Sequence, residues 1–389
     1  MSNSSFTEVS EQSWFSRLGN AFKGILVGLL LFILSFPIII FNENRAVNTT
    51  VGLKQAQGLV LTVPAVPVSA DNDGKLVHFT ATATTKDILK DAEFGIELNA
   101  IRLARSVKMY QWQEQSESKT EKKLGGGTET VTKYSYHLTW SAKLIDSNNF
   151  KDQTDHSNPG SIRYPGRDIT AAVITAGDYN LPVILVEQLN NWQPVDIGSD
   201  LDVPAGLVQH GSELISGNPD KPQVGDLRIS YSAILPGPVS VVAQQVNQSL
   251  EAFHTKTGTS IAMLESGTLS SENMFKQAHA NNSVLTWGLR LLALILMGVG
   301  IALVLNPLKV LADVIPFLGT VVGVGTGAIA TLLALALTTI TIAITWIAVR
   351  PILGVILLIV AGGAFYGIRF LARKNLPVEP TVLAQAAGT

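Results

Sequence analysis

Charge all but disappears from the last part of the chain. After Arg290 the next charged residue is Lys309, after Asp313 it is Arg350, and after Arg350 it is Arg369. Between these positions lie runs of Leu, Ile, Val and Ala long enough to cross about 30 Å of hydrocarbon as helices. A helix in water needs a polar face, and these runs offer none. They predict spans at 286–306, 326–349 and 351–370. The uncharged run 314–349 is too long for one upright helix and too short for two. Pro316 and the glycines that follow it therefore make 307–325 a loop, interfacial or re-entrant, leading into a span.

A fourth apolar run precedes these three. Residues 1–20 are polar and Ser-rich, with Trp14 and Phe15 as interface anchors beside Arg17 and Lys23, and 24–42 carries no charge. A cleaved signal peptide fits less well than a signal-anchor helix. The run starts late, exceeds a usual h-region and ends in Phe41-Asn42-Glu43-Asn44-Arg45 rather than in small residues. Pro37 is expected to kink or end this helix. Only 15% of the chain is charged and its mean hydropathy is +0.29, as expected for a membrane protein. A net charge of −2 gives no electrostatic support for nucleic-acid binding. With no cysteine, disulfides, thiol nucleophiles and Cys-ligated metals are excluded.

Residues 43–285 differ in character. Charges and turn signals return, and several segments alternate as strands do. Leu76–Thr82 follows the turn Asp71-Asn72-Asp73-Gly74. Ala100–Gln113 and Tyr134–Trp140 lie on either side of Gly125-Gly126-Gly127. Leu227–Ala233 and Val239–Gln245 flank Pro236-Gly237-Pro238, a turn that predicts antiparallel neighbours. Helices are expected at 169–176 and at 271–280, the latter capped by Ser270 or Ser271. The fold class is a membrane protein with four transmembrane helices, one N-terminal and three C-terminal, and a large α+β domain that is mainly antiparallel β. The tail 371–389 reads as disordered from Pro377 on.

Basic residues orient the spans. Arg17 and Lys23, Lys309, and Arg369, Arg373 and Lys374 share one side in a four-span arrangement, and that side is expected to be cytoplasmic. The N-terminal segment, the 307–325 loop and the tail would then be cytoplasmic, and the large domain periplasmic or luminal.

Short matches in order along the chain resemble the transmembrane protein 43 family, also called LUMA. They are Asn42-Glu43-Asn44-Arg45-Ala46, Gly74-Lys75-Leu76-Val77-His78, Val107-Lys108-Met109-Tyr110-Gln111-Trp112, Tyr134-Ser135-Tyr136, Asn158-Pro159, Val224-Gly225-Asp226-Leu227-Arg228, Thr255-Lys256, Thr286-Trp287-Gly288-Leu289-Arg290, and Trp346 followed by Arg350-Pro351. The resemblance implies a membrane protein with a large luminal or exoplasmic domain that self-associates. In animals the family sits in the endoplasmic reticulum and inner nuclear membrane, with lamins and emerin as associates. Those partners apply only to a eukaryotic chain. The missing cysteines and Ala-rich tail point instead to a bacterial member in the inner membrane.

Chemistry-bearing motifs are sparse. Asp71-Asn72-Asp73-Gly74 starts like a calcium loop, but Leu76, Val77 and Phe79 begin a strand where further oxygen ligands would be needed, so a β-turn is preferred. The six histidines form no His-Glu-x-x-His, there is no Gly-x-Ser-x-Gly, and Gly323, Gly325 and Gly327 precede no Lys-Ser/Thr. No cofactor, metal or catalytic residue is expected. Small residues recur four apart at Gly24 and Gly28, at Gly319, Gly323 and Gly327, and at Gly363 and Gly367. That spacing lets helix backbones approach, within one chain or between copies. Arg290 and Arg350 sit at span ends and read as interfacial anchors. The expected function is a membrane scaffold that binds the bilayer, itself and further membrane proteins. A channel or transporter component is the first alternative. A membrane-anchored enzyme with an unrecognised site is the second.

Overall fold

A computed structural model gives the fold. It describes residues 5–198 and 203–349, and beyond them Ile356 and Ile359. Apart from those two isoleucines, the expected span 351–370 and the tail lie outside the described residues, as do Arg350, Pro351, Gly363 and Gly367. Contacts divide the chain into two units. The first comprises Met1–Phe22, Asn48–Leu285 and Pro307–Gly323; the second comprises Lys23–Val47, Thr286–Asn306 and Val324–Thr389.

The first unit is built on antiparallel strands. Its larger sheet contains β1 (Ser5–Gln12), and the smaller contains β2 (Leu76–Thr84). The long hairpin of β3 (Arg102–Lys122) and β4 (Thr128–Ser141) belongs with β1, as does β5 (Leu227–Ile234). β6 (Gly237–Val246) pairs with β2. The alternation of period two explains the core. Leu103, Val107 and Met109 of β3 and Leu227, Ile229 and Tyr231 of β5 bury one face, and they meet Phe79 of β2 and Val241 of β6. Val242, one residue on, faces the other way and packs with Leu53, Met274 and Phe275. β6 is thus buried on both faces, and its buried polar side chains are satisfied: Ser240 donates to the Gly267 carbonyl and Gln245 to the Ser69 carbonyl.

Three sequence expectations change. β5 and β6 flank Pro236-Gly237-Pro238 but are not partners: β5 pairs with β3, and β6 pairs with β2. The two prolines have no N–H to give to a ladder, and here the chain changes sheets. The helix expected at 169–176 is instead two short strands, Arg167–Thr170 and Thr175–Ala176. Its β-branched residues favour a pleated surface, and Asp168 is tied to Arg102 at 2.5 Å. Residues 5–12 are not a separate polar lead. They form an edge strand in register with Thr128–Ser135.

Among the described residues three helices are long and apolar enough to cross a membrane: α1 (Trp14–Leu59), α2 (Ser271–Ala312) and α3 (Pro316–Val349). Ser13 caps α1 by accepting from the Ser16 amide, and Ser270 caps α2 by accepting from the Asn273 amide. Pro37 does not end α1. The helix expected at 271–280 and the following span are one continuous element. Pro316 starts α3, where a missing N–H is tolerated, so residues 316–325 are its first turns and not a re-entrant loop. Further along, Thr331, Thr339, Thr341 and Thr345 each donate to the carbonyl four residues back. Their hydroxyls are thereby satisfied inside an apolar helix.

In the second unit Ile39, Ala293, Met297 and Ala334 form a small core with Phe32 and Phe36 around it. A Cβ on Gly28 would lie 2.7 Å from the Gly300 carbonyl oxygen, and one on Gly300 would lie 2.7 Å from that of Gly28. The close backbone approach anticipated from glycine spacing therefore occurs within one chain at this position. Gly24 is looser, with Leu303 at 3.9 Å from its ideal Cβ.

Candidate functional site: a buried polar cluster among the apolar helices

The second unit holds an acid where the sequence offers it no obvious partner. Glu43 is 1% exposed. An unpaired carboxylate there would carry a desolvation cost of several kcal/mol. Arg290 removes the problem. Its Nε donates to Glu43 Oε1 at 2.7 Å and its Nη2 to Oε2 at 2.8 Å, a bidentate fork. The Trp346 indole N–H, which can only donate, reaches Oε2 at 2.7 Å. The Arg290 guanidinium lies 4.6 Å from the Trp287 ring centre and 5.8 Å from that of Trp346. Two indole faces thus flank the cation.

Helical spacing explains why these residues meet. Asn42 and Arg45 stand three apart on α1, and Arg45 Nη2 donates to Asn42 Oδ1 at 3.2 Å. Thr286 and Arg290 stand four apart on α2. Arg45 also donates to Thr286 Oγ1 at 3.0 Å, and Asn42 Nδ2 donates to the Thr286 carbonyl at 3.0 Å. Residues from separate short motifs thus form two bonded groups: Asn42, Arg45 and Thr286 in one, and Glu43, Arg290 and Trp346, with Trp287 against Arg290, in the other. Sequence reading treated Arg290 as an interfacial anchor and did not pair it with Glu43. The paired sign of the two charges at the ends of their apolar runs was the signal available.

Motif residues of the first unit make local contacts there. Asn158 receives the Trp112 amide at 2.8 Å and gives its Nδ2 to the Trp112 carbonyl at 2.9 Å, acting as a strand partner to β3. The Tyr110 amide donates to the Asp226 carbonyl, and the Gly225 amide donates to the Tyr110 carbonyl. Gly225 has φ +96°, a conformation that favours glycine, and a Cβ there would meet Pro159 at 3.2 Å. Arg228 stacks on Trp140 at 4.5 Å. Lys256 is anchored through its amide to Gln55. These contacts fix the fold.

A second buried acid lies in the first unit. Asp313 caps α2 and is fully buried. Arg17 approaches it at 2.5 Å and Lys122 at 2.6 Å. Burial pushes its carboxyl up, but hydrogen bonds from Lys122 and then Arg17 outweigh that and hold it below the usual Asp range. Trp14 Nε1 donates to the Val310 carbonyl at 2.8 Å, and Arg17 also reaches the Gly126 carbonyl. Gly319 is pressed against Asp313, and Gly323 against the Lys309 side chain. Both glycines therefore serve contacts within the chain. Gly327, by contrast, has nothing within 4 Å of its ideal Cβ among the described residues. A third buried charge, Arg105, donates to Asp91 at 2.9 Å and Glu93 at 2.7 Å, and Tyr231 donates to the same Asp91. Burial and that hydrogen bond push the Tyr231 hydroxyl well up.

The histidines are dispersed. His78 contacts the Leu269 carbonyl, His156 stacks on Tyr136 at 4.0 Å and His254 contacts Ser260. Among the described residues no group of three or more His, Asp or Glu side chains is placed to hold a metal. Asp71 and Asp73 belong to a short 3-10 turn capped by Ser69.

A family model described as Transmembrane protein 43 matches residues 109–351. The protein of that name from Homo sapiens is 33% identical over 382 residues, covering 95% of this chain and 94% of its own length. The Mus musculus protein is 33% identical over 89% of each chain. The Drosophila melanogaster homolog is 28% identical over 88% of this chain and 92% of its own. No solved structure matches. With the similarity running nearly end to end, the chain belongs to the transmembrane protein 43 family.

Proposed function

We propose that this protein is a membrane scaffold: four helices hold it in the bilayer, it self-associates, and its large domain holds partner proteins at the membrane surface. The observation that carries this reading is the closure of the Glu43–Arg290 pair. Both carboxylate oxygens are engaged by Arg290, and Trp346 adds a third bond. A membrane-embedded acid that moves ions or protons needs an exchangeable partner or a path to water; this one is clamped between an arginine fork and an indole. The arrangement supports helices locked together more than a conducting pathway.

Proteoliposomes test the choice. Wild type and Glu43→Gln should carry no more Na⁺, K⁺ or H⁺ flux than protein-free vesicles. A flux that depends on Glu43 would overturn the scaffold reading in favour of a channel or transporter component.

A further inference from the structure

The outer end of the β3–β4 hairpin has no core beneath it. β5 pairs with β3 only from Arg102 to Met109, and among the described residues 113–122 are paired with β4 alone. Residues 115–121 are exposed throughout. A two-stranded ribbon is marginally stable in water, and a third strand changes that. In the structure the third strand is β1, which lies along 128–135 of β4. The four-span reading of the helices puts β1 across the bilayer from this hairpin. It leaves the β4 edge open to a different strand.

Charge decides which strand fits. Residues directly opposite in a ladder share a face, where opposite charges attract and like charges repel. Glu129 already faces Glu121 across the hairpin. β1 sets Glu11 against its other side, and Lys123, 2.5 Å from both Glu11 and Glu129, serves two carboxylates at once. Lys133 meets only Thr7 on that side. A second copy of β4 fits better. Laid antiparallel with Val131 facing the partner's Val131, it sets each Glu129 opposite the partner's Lys133 and each Thr130 opposite the partner's Thr132. Thr130 and Thr132 already pair through their hydroxyls with Thr120 and Ser118 at 2.9 Å, and the hydroxyl ladder continues across the new edge. Val131, 36% exposed, is covered at the centre.

We propose that two copies of this chain join along β4, antiparallel about Val131, so that their hairpins form one four-stranded sheet with two-fold symmetry. The proposal rests on the four-span, self-associating reading and names the surface it uses. The chain has no cysteine, so Val131→Cys in the full chain, oxidised in native membranes, should give a disulfide-linked dimer. Ser118→Cys, one strand inward, should not. Glu129→Lys or Lys133→Glu, added to Val131→Cys, should each lower the cross-linked fraction about tenfold, because each turns two attractive pairs repulsive. Combining both changes in one chain, or mixing the two charge variants, should restore it. Cross-linking that ignores these charges would overturn the proposal. In Val9→Cys/Val131→Cys, a bond within one chain in place of one between chains would return β1 to the edge and overturn it too. Oligomers in nanodiscs that form no bond at Val131→Cys would overturn this surface and leave self-association standing. A wild type that is monomeric in nanodiscs would overturn both.

Discussion

Glu43 and Arg290 stand 247 positions apart in the chain and meet through two hydrogen bonds of 2.7 and 2.8 Å. Removing one partner leaves the other charged, buried and unpaired. Glu43→Ala is therefore expected to destabilise the protein by about 3–5 kcal/mol. Adding Arg290→Ala should cost less than the sum of the two single changes. Thermal unfolding in mild detergent, followed by tryptophan fluorescence, measures both. Additive losses would mean the two side chains do not interact in the membrane-inserted protein.

Gly28 separates internal packing from association between copies. Leucine there must displace the Gly300 backbone, because even a Cβ would come within 2.7 Å of its carbonyl oxygen. The expected loss is at least the 1–3 kcal/mol typical of overpacking, about 1–3 kcal/mol. Among the described residues Gly327→Leu meets nothing within its own copy, so the unfolding midpoint of the monomer, read in a detergent that separates copies, should be unchanged. If the two substitutions lower it equally, the contrast between the sites is lost.

Acid tests the Asp313 contact. Its carboxyl titrates below the usual range when folded, since Lys122 and Arg17 outweigh burial. The unfolded chain therefore binds the proton first as pH falls, near the ordinary Asp value of about 3.9. The stabilisation is complete above that pH and is lost as pH drops through the lower folded value. Asp313→Asn should reduce stability at neutral pH and flatten the fall in stability below about pH 4. Parallel acid profiles for wild type and Asp313→Asn would show that the pair contributes nothing.

Much of this architecture is legible in the sequence, for local reasons. β2, β3 and β4 announce themselves through period-two alternation beside glycine-rich turns. α1, α2 and α3 do so through missing charge. What could not be read depends on non-local partners. The sheet that receives β6 is chosen by Phe79 and Leu53, far away in the chain. The segment 169–176 has apolar spacing that suits a short helix, and pairing of Ile169 and Thr170 with β3 and of Thr175 and Ala176 with β2 decides otherwise. In the polar cluster the motif residues were each visible, but the Glu43–Arg290 bond was not, because no spacing rule connects residues on different helices.

The basic flanks and the β-ladder make opposing statements about the N-terminus. Arg17 and Lys23 argue for a side opposite the large domain, whereas β1 is hydrogen-bonded to β4 from Ser5↔Ser135 to Gln12↔Thr128. An α1 that crosses the bilayer puts 5–12 and the chain after Leu59 on opposite sides, so the four-span proposal and the ladder predict different labelling. The proposal predicts that cysteines introduced singly at Ser10 and Ser216 react with an impermeant maleimide from opposite sides of sealed vesicles. Labelling from the same side would favour the ladder and overturn the four-span arrangement.

The most direct test of the scaffold account is the mass of the full chain in nanodiscs, read by mass photometry. Self-association predicts an oligomer that persists in mild detergent. It also predicts that Gly327→Leu, at a glycine whose surface is open, shifts the population to folded monomers by blocking close approach of helix backbones. A wild-type chain that is monomeric in nanodiscs and across mild detergents would contradict the account.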